Sequence, residues 1–314
     1  MFQRRLKEIP RQFKLAAQLL ISNDPLRLAG ATAFFATFAL PFILIILVQV
    51  LSLLFNRKEI SRELFVRMSA ILGRPGMEQL VVTIRGFRGL VNGWVDIVAG
   101  SLFMMFVATT LFRVIKNSMN QLWMIHLRTE KKFRISMVSR LRSLVLILFT
   151  GVLFVSGGLL ESLQLLFGRN INELLPGTGI VLTGFLSFLV SVFITTIWFA
   201  VLLHFIPDGR PHWKVSLSGA LLTSLLFALG KFILKILLVD SNIDQVFGAS
   251  GSFVLLLLFV FYSAIILYYG AAFTKVWGEY IGLPIRLAPH AAFYTLQDVE
   301  EERDQAAPED QQKS

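Results

Sequence analysis

Three stretches of this chain contain no charged side chain over 29 to 31 residues, and this feature restricts its fold more than any other. They run from residue 28 to 56, from 177 to 207 and from 246 to 274. A helix crosses the hydrocarbon core of a bilayer with roughly 20 apolar residues. Each stretch is longer than that, so all three are predicted to be membrane-spanning helices.

Three further segments are candidate spans, although each is shorter or carries charge. Residues 97–112 and 143–160 are apolar and uncharged, whereas 215–239 is long enough but contains two lysines. The predicted fold is therefore an all-α integral membrane protein, a six-transmembrane helix bundle with amphipathic helices at its surfaces. The membrane domain is predicted to cover residues 28–286. Its spans lie at about residues 31–55, 96–113, 143–160, 178–206, 215–239 and 246–274.

The overall composition agrees with this prediction. Apolar residues make up 55% of the chain and charged residues 16%, against roughly 45–50% and 25% in soluble proteins. The absence of cysteine excludes disulfides, thiolate metal sites and cysteine nucleophiles. A net charge of +10 is compatible with nucleic-acid binding. In so apolar a chain, however, lysine and arginine beside membrane spans are the commoner cause, so membrane lipids and not nucleic acids are the predicted partners.

The placement of basic residues predicts the orientation in the membrane. Six spans put both termini on one side. Lysine and arginine number 18 in the segments on the side of the termini and eight in the other connecting segments. Because cytoplasmic segments carry the excess of basic residues, both termini are predicted to be cytoplasmic. The exception is segment 57–88, which holds seven of the eight opposing basic residues.

Three segments outside the spans follow other patterns. In 1–27 apolar and basic residues alternate at helical spacing, which predicts a cytoplasmic amphipathic helix on an anionic membrane surface or on the protein's own cytoplasmic face. Segment 57–92 has two apolar stripes separated by Gly73-Arg74-Pro75-Gly76, which predicts a helical cap on the outer side. Segment 287–314, acidic towards its end, is predicted to be a largely disordered cytoplasmic tail.

Two lysines fall inside the fifth predicted span. Lys231 and Lys235 are four residues apart and therefore share one helix face. A lysine at the bilayer centre costs roughly 2.5–3.5 kcal/mol to insert, so an ionisable residue there is a functional candidate. Two like charges on adjacent turns favour an anion between them, such as a lipid phosphate. The alternative is that both side chains extend towards the membrane surface.

A second polar stripe continues from the second predicted span. It consists of Arg113, Lys116, Asn117, Asn120 and Trp123, whose spacing places them on one helical face. Amide and ammonium groups at such positions bind either neighbouring helices or polar groups of a substrate. Both interpretations stay open from the sequence.

Other sequence features bear on chemistry. Pro41 inside the first span permits a helix kink. Phosphate-binding loops of the G-x-x-x-x-G-K-[ST] type and H-E-x-x-H motifs are absent, and the four histidines are scattered. The sequence therefore predicts no catalytic site, no metal site and no cofactor.

Four groups of residues, in this order and spacing, are typical of a known family. They are Asp24-Pro25 with Leu28-Ala29-Gly30, Ala33-Phe34 and Pro41; Lys116 to Trp123; Pro207 with Trp213, Gly219-Ala220 and Gly230-Lys231; and Phe247-Gly248-Ala249 with Tyr262, Gly270-Ala271 and Gly278-Glu279-Tyr280. Over roughly residues 20–285 the chain resembles the YihY/BrkB family of bacterial inner-membrane proteins. The resemblance implies six spans and cytoplasmic termini in the bacterial inner membrane. Ala272 stands where family members often have glutamate, so no role of that carboxylate carries over.

The resemblance also suggests a class of function. The family is associated with serum resistance and with tolerance of altered lipopolysaccharide precursors, which implies envelope lipid transport. The first hypothesis is therefore a transporter or flippase-like protein for an anionic lipid or another envelope amphiphile. The alternative is a non-catalytic membrane scaffold with an envelope-protein partner. An integral-membrane enzyme comes third, and the family's old ribonuclease BN label finds no matching residues here. The sequence leaves the oligomeric state open.

Overall fold

The structure is a computed structural model of the chain. It describes residues 2–52, 94–127, 178–239 and 251–294 without residue 290, isolated residues between 56 and 86, and residues 145, 148, 149 and 152. Most of the predicted third span, most of the predicted outer cap and the acidic end of the predicted tail lie outside the described residues.

Six long helices account for most of the described chain, which is mostly helical as predicted. They are α1 (Phe2–Ile21), α2 (Pro25–Leu51), α3 (Trp94–Leu122), α4 (Thr178–Phe205), α5 (Trp213–Val239) and α6 (Gly251–Tyr280). Helices α2 to α6 are long and apolar enough to cross a membrane. These five helices correspond to five of the six predicted spans.

The helices run in alternating directions with one exception. Helices α4 and α5 are antiparallel, since Thr196 Oγ1 lies 2.7 Å from Ser224 Oγ. The C-terminal end of α3 meets the loop after α4, where Lys116 contacts Asp208. Helices α3 and α4 therefore run in the same direction. We call the end at which α3, α4 and α6 finish the Trp123 end, and the opposite end the far end.

Helix α2 continues unbroken through Pro41. Proline lacks the N–H group that would bond to the carbonyl oxygen of residue 37. The carbonyl oxygen of Thr37 therefore has no backbone donor at residue 41, while the Thr37 hydroxyl donates to the carbonyl oxygen of Ala33 at 2.8 Å. A hydroxyl–hydroxyl hydrogen bond between Thr32 and Tyr268 joins α2 to α6. The predicted kink at Pro41 stays a prediction.

Helices α5 and α6 approach each other closely through two matching glycine–threonine pairs. Gly219 of α5 lies against Thr274 of α6, and Gly270 of α6 lies against Thr223 of α5. Each threonine hydroxyl donates to the carbonyl oxygen of the glycine four residues earlier, at 2.7 Å. A Cβ atom at either glycine would overlap the facing threonine hydroxyl. Small residues of this kind let helix backbones pack tightly in a membrane.

Helix α1 packs on α6. The ring centroids of Phe13 and Phe273 are 5.0 Å apart, and the Tyr269 hydroxyl donates to the carbonyl oxygen of Phe13 at 3.2 Å. Ala16 and Leu20 on the same face are buried. The described part of this amphipathic helix therefore rests with its apolar face on the protein itself.

Two short antiparallel sheets cover the Trp123 end. Strand β1 (Ile125–Leu127) pairs with β4 (Ala291–Phe293), and β2 (Gly209–Arg210) pairs with β3 (Arg286–Leu287). The predicted tail boundary at residue 287 is therefore too early, because residues up to 293 take part in strands. Strands of two or three residues are too short to show a sequence period, so the helical pattern alone could not reveal them.

Isolated residues of the predicted outer cap pack on the far half of the bundle. Leu64 lies in one apolar cluster with Leu47, Val48 and Ala108, and Leu80 lies in another with Leu44 and Leu256. Both side chains are almost fully buried. They belong to the two apolar stripes that the sequence places in this segment.

Candidate functional site

A buried ion pair joins α3 to the loop after α4. Lys116 Nζ lies 2.8 Å from Asp208 Oδ1, and only 11% and 2% of these side chains are exposed. Asn120, one helical turn after Lys116, donates from Nδ2 to Asp208 Oδ2 at 2.7 Å. Its side-chain amide oxygen Oδ1 accepts a hydrogen bond from the backbone N–H of Asp208 at 2.9 Å. Both carboxylate oxygens of Asp208 are therefore bonded.

The surroundings of Asp208 make this cluster a structural junction. Ala288, between β3 and β4, donates its backbone N–H to the carbonyl oxygen of Asp208 at 2.9 Å. Trp123 is fully buried, and its Nε1 donates to the carbonyl oxygen of Ala271 at 2.9 Å. Together these bonds connect α3, the α4–α5 loop, α6 and the C-terminal strands. Buried polar groups that are all bonded in this way hold one arrangement of the elements.

The predicted polar stripe divides into two groups. Lys116, Asn120 and Trp123 point into the protein at i, i+4 and i+7, whereas Arg113 and Asn117 are exposed. The first group binds neighbouring elements of the same chain, which is the packing interpretation of the stripe. The structure does not bring Arg113 or Asn117 into this cluster.

Asp208 is the residue of this cluster that the sequence prediction did not include. It is the only acidic residue between Glu173 and Asp240, and it directly follows Pro207 at the end of an uncharged span. The sequence did contain one signal for this contact. A single carboxylate is predicted to lie on the same side of the membrane as the basic residues of the polar stripe. The spacing of 88 residues between Asn120 and Asp208 hides their contact from any local pattern.

Lys231 follows Gly230, at which α5 contacts Tyr262 of α6. Its Nζ is 5.3 Å from the ring centroid of Phe227. Phe227 in turn stacks on Tyr262 of α6, with ring centroids 6.4 Å apart. The ring of Tyr262 covers Gly230, where a Cβ atom would overlap it. Lys231 precedes the end of α5 at Val239 by eight residues, which is about 12 Å of helix.

This cluster places a cation among apolar and aromatic side chains. A lysine ammonium over an aromatic face is stabilised by cation–π attraction, by about 2 kcal/mol where water is excluded. The Tyr262 hydroxyl is buried and has no hydrogen-bond partner in the described part of the chain. Buried hydroxyl groups usually have a hydrogen-bond partner, so this hydroxyl is a candidate to bind a polar group. Lys235, also in α5, lies beyond the residues whose side chains are described.

A cavity of about 400 Å³ lies between α2, α3 and α6. Its described lining includes no charged side chain and consists mainly of aromatic rings. The lining residues are Phe34, Phe35, Thr37, Phe38, Pro41, Phe42, Leu80, Phe103, Phe106, Val107, Thr110, Phe253 and Leu256. Volumes of roughly 300–1,000 Å³ and mainly apolar walls are typical of ligand pockets.

The cavity and the Lys231 cluster are separate sites on opposite faces of α6. Phe253 lines the cavity, whereas Tyr262 faces α5. Nine residues at about 100° each put these two side chains half a turn apart around the helix. The structure also keeps both sites apart from the Lys116–Asp208 pair, which lies at the Trp123 end. No described group of three histidine, aspartate or glutamate side chains could hold a metal ion.

One comparison with known proteins gives a match. The family described as Virulence factor BrkB matches residues 17–294. No curated protein and no solved structure matches the chain.

Proposed function

Because this chain belongs to the Virulence factor BrkB family, and five of its described helices can cross a membrane, we propose that it transports or flips an anionic lipid or another envelope amphiphile in the bacterial inner membrane. The observation that carries this proposal is the Lys231 cluster. The ammonium group of Lys231 lies over the ring of Phe227, which stacks on Tyr262, and the buried Tyr262 hydroxyl makes no hydrogen bond of standard geometry in the described part of the chain. Phosphate oxygens accept hydrogen bonds from ammonium and phenol groups, which supports an anionic headgroup as the substrate at this cluster.

The proposal accounts for the energetic cost of Lys231. Insertion of a lysine into a bilayer costs several kcal/mol, and proteins keep such residues mainly where ions or polar substrates pass. A charge-assisted hydrogen bond to a phosphate offsets part of this cost. The proposed function needs no catalytic residue, no metal and no cofactor. A scaffold that binds an envelope protein without moving lipid is the competing function, and the transport assay below separates the two.

We also propose six spans with both termini in the cytoplasm. Helices α3 and α4 run in the same direction, so the chain between Leu127 and Thr178 has to return from the Trp123 end to the far end. Segment 143–160 is apolar, uncharged and 18 residues long, which is close to the length of one span. The Trp123 end is the cytoplasmic end in this proposal, because the basic residues are concentrated in its segments.

Single cysteines test this topology, because the chain contains no cysteine of its own. In intact spheroplasts, a membrane-impermeant maleimide is expected to label Arg169→Cys and Arg85→Cys. Arg134→Cys and His212→Cys should react only after the membrane is permeabilised. The cysteine-free parent controls for background labelling. Labelling of Arg134→Cys and Arg169→Cys from the same side would exclude a span between them.

Transport in proteoliposomes tests the role of Lys231. The probes are fluorescent phosphatidylglycerol, which is anionic, and the matching phosphatidylcholine, which has no net charge. Lys231→Met, which keeps the length of the side chain but removes its charge, is expected to slow movement of the anionic probe by about 10- to 100-fold, the size of one charged hydrogen bond. Lys231→Arg should keep most of the rate.

The matched control is Lys214→Met on the same helix, because Lys214 is exposed at the Trp123 end. Its rate should equal that of the unmodified protein. An unchanged rate in folded Lys231→Met would remove this lysine from the mechanism. If the unmodified protein moves neither probe, the transport proposal is wrong and the scaffold function is favoured.

A further inference from the structure

We infer that the aromatic cavity between α2, α3 and α6 binds one hydrocarbon chain of a membrane lipid, which enters from the side through the bilayer. The inference rests on the depth, the chemistry and the exposure of the cavity. It does not depend on the transport function, because the cavity and the Lys231 cluster lie on opposite faces of α6.

The cavity lies at the depth of the hydrocarbon core of a bilayer. On α2 its lining extends from Phe34 to Phe42, a distance of about 12 Å along the helix. Phe34 is nine residues after the start of α2 at Pro25, so the cavity begins about 14 Å from the Trp123 end. Helix α2 has 27 residues and is about 40 Å long, so a hydrocarbon core of roughly 30 Å centred on it includes the whole cavity. The cavity therefore lies at the depth of lipid tails.

The chemistry of the lining excludes a headgroup. The only polar side chains in the described lining are Thr37 and Thr110. The Thr37 hydroxyl donates to the carbonyl oxygen of Ala33 at 2.8 Å, and that of Thr110 to the carbonyl oxygen of Phe106 at 2.7 Å. Both hydroxyls thus use their protons within their own helices. A phosphate or sugar placed here would lose its hydrogen bonds to water without replacement, whereas a hydrocarbon chain loses none.

The exposed rings show where a chain would enter. Phe34, Phe38, Phe103 and Phe106 each line the cavity and keep 49% to 55% of their surface exposed. Phe34 and Phe38 contact each other edge to face along α2, with ring centroids 5.0 Å apart. Rings that lie both in the cavity and on the bundle surface form its rim. Since this rim lies on helices long enough to span the membrane, the neighbouring medium is lipid and the opening is lateral.

Photocrosslinking tests the inference on the full chain in liposomes. The first probe is phosphatidylglycerol with a photoactivatable diazirine in its acyl chain, and the second carries the same group on its headgroup. Peptide mapping by mass spectrometry is expected to find the acyl-chain probe on residues 34–42 of α2 and 103–110 of α3. The headgroup probe should not label these residues. Equal labelling by both probes, or labelling by neither, would overturn the inference.

A pair of matched variants on α3 separates the cavity from the general lipid surface. Val107 lines the cavity, whereas Val98 is exposed outside it. Val107→Phe should lower acyl-chain labelling of α2 by about tenfold, because its ring takes the place of the chain. Val98→Phe should leave the labelling unchanged.

If Val107→Phe and Val98→Phe both fold and show equal acyl-chain labelling of α2, the cavity does not bind a hydrocarbon chain. If Val107→Phe does not fold, the comparison of the two probes on the unmodified protein still decides. A photocrosslink from a photoreactive phenylalanine analogue at position 106 to residues 128–177 in detergent, with no acyl-chain labelling in liposomes, would instead show that the protein's own chain fills the cavity. Failure of the transport assay leaves these outcomes unaffected.

Discussion

Lys116→Met is expected to lower the free energy of unfolding by about 3–5 kcal/mol, because removal of one partner leaves a buried charge uncompensated. The carboxylate of Asp208 would keep the hydrogen bond from Asn120 but lose the ammonium group at 2.8 Å. Only 2% of the Asp208 side chain is exposed, so water cannot replace the lost partner. Titration of the purified protein from mild micelles into sodium dodecyl sulfate, monitored by tryptophan fluorescence, measures this change.

Two controls separate the ion pair from the general effect of losing a lysine. Lys214→Met removes a cation at an exposed position of the Trp123 end, and it should change the free energy of unfolding by less than about 0.5 kcal/mol. The double variant Lys116→Met with Asp208→Asn removes both charges and should recover part of the loss, since a neutral pair has no buried charge to compensate. A double variant as unstable as the sum of the two single variants would show that the pair is not coupled.

Gly270→Val is expected to have the second large effect. It should lower the free energy of unfolding by about 3 kcal/mol or more. A side chain forced into a tightly packed contact typically costs about 1–3 kcal/mol of stability. The cost here is expected to be at the upper end or above, because the facing Thr223 side chain lies close to the backbone of α5. A Cβ atom at residue 270 would overlap the Thr223 hydroxyl and lie 3.1 Å from the Thr223 Cβ. Helices α5 and α6 would have to move apart. The same detergent titration measures the loss.

The matched control for this prediction is Gly184→Val in α4. Gly184 is also helical, but no described atom lies within 4 Å of the position that a Cβ atom would take there, so only the small change in helix propensity is expected. The pair Gly270→Ala with Thr223→Gly tests the contact itself. The second substitution removes the facing side chain, so it should restore stability lost by Gly270→Ala. If Thr223→Gly gives no such rescue, the overlap is not the cause.

Separation of α5 from α6 would also alter the proposed anion site at Lys231. Tyr262 of α6 covers Gly230 of α5, and Phe227 stacks on the same tyrosine ring. These contacts continue the helix interface that the glycine–threonine pairs begin. A variant that loosens the interface is therefore expected to slow movement of the anionic probe even where Lys231 is intact.

The helices themselves were predictable because their signal is local. Uncharged runs predicted spans at about 31–55 and 178–206, and the structure has α2 at Pro25–Leu51 and α4 at Thr178–Phe205. The difference at α2 follows from Pro25, which is a favourable first residue of a helix. Arg27 is tolerated in that first turn because it lies before the apolar run begins.

The candidate sites were predictable only in part. Lys231 was visible because a charge interrupts an apolar span, but its aromatic neighbour Tyr262 lies 31 residues further along the chain. The cavity gave no signal at all, since a phenylalanine that lines a cavity and one that faces lipid look alike in sequence. Asp208 looked like an ordinary loop residue until the fold placed it between Lys116 and Asn120.

The sequence by itself determined that this is a membrane protein and where most of its helices lie. The free energy of transferring apolar side chains from water into a bilayer depends on the composition of each segment alone. Only the tertiary structure decided which side chains meet. It turned Lys116 and Asn120 of the polar stripe inward to Asp208 and left Arg113 and Asn117 exposed. It also placed the short strands and laid α1 on α6. Such contacts join residues tens to hundreds of positions apart, and their energy exists only once the helices have packed.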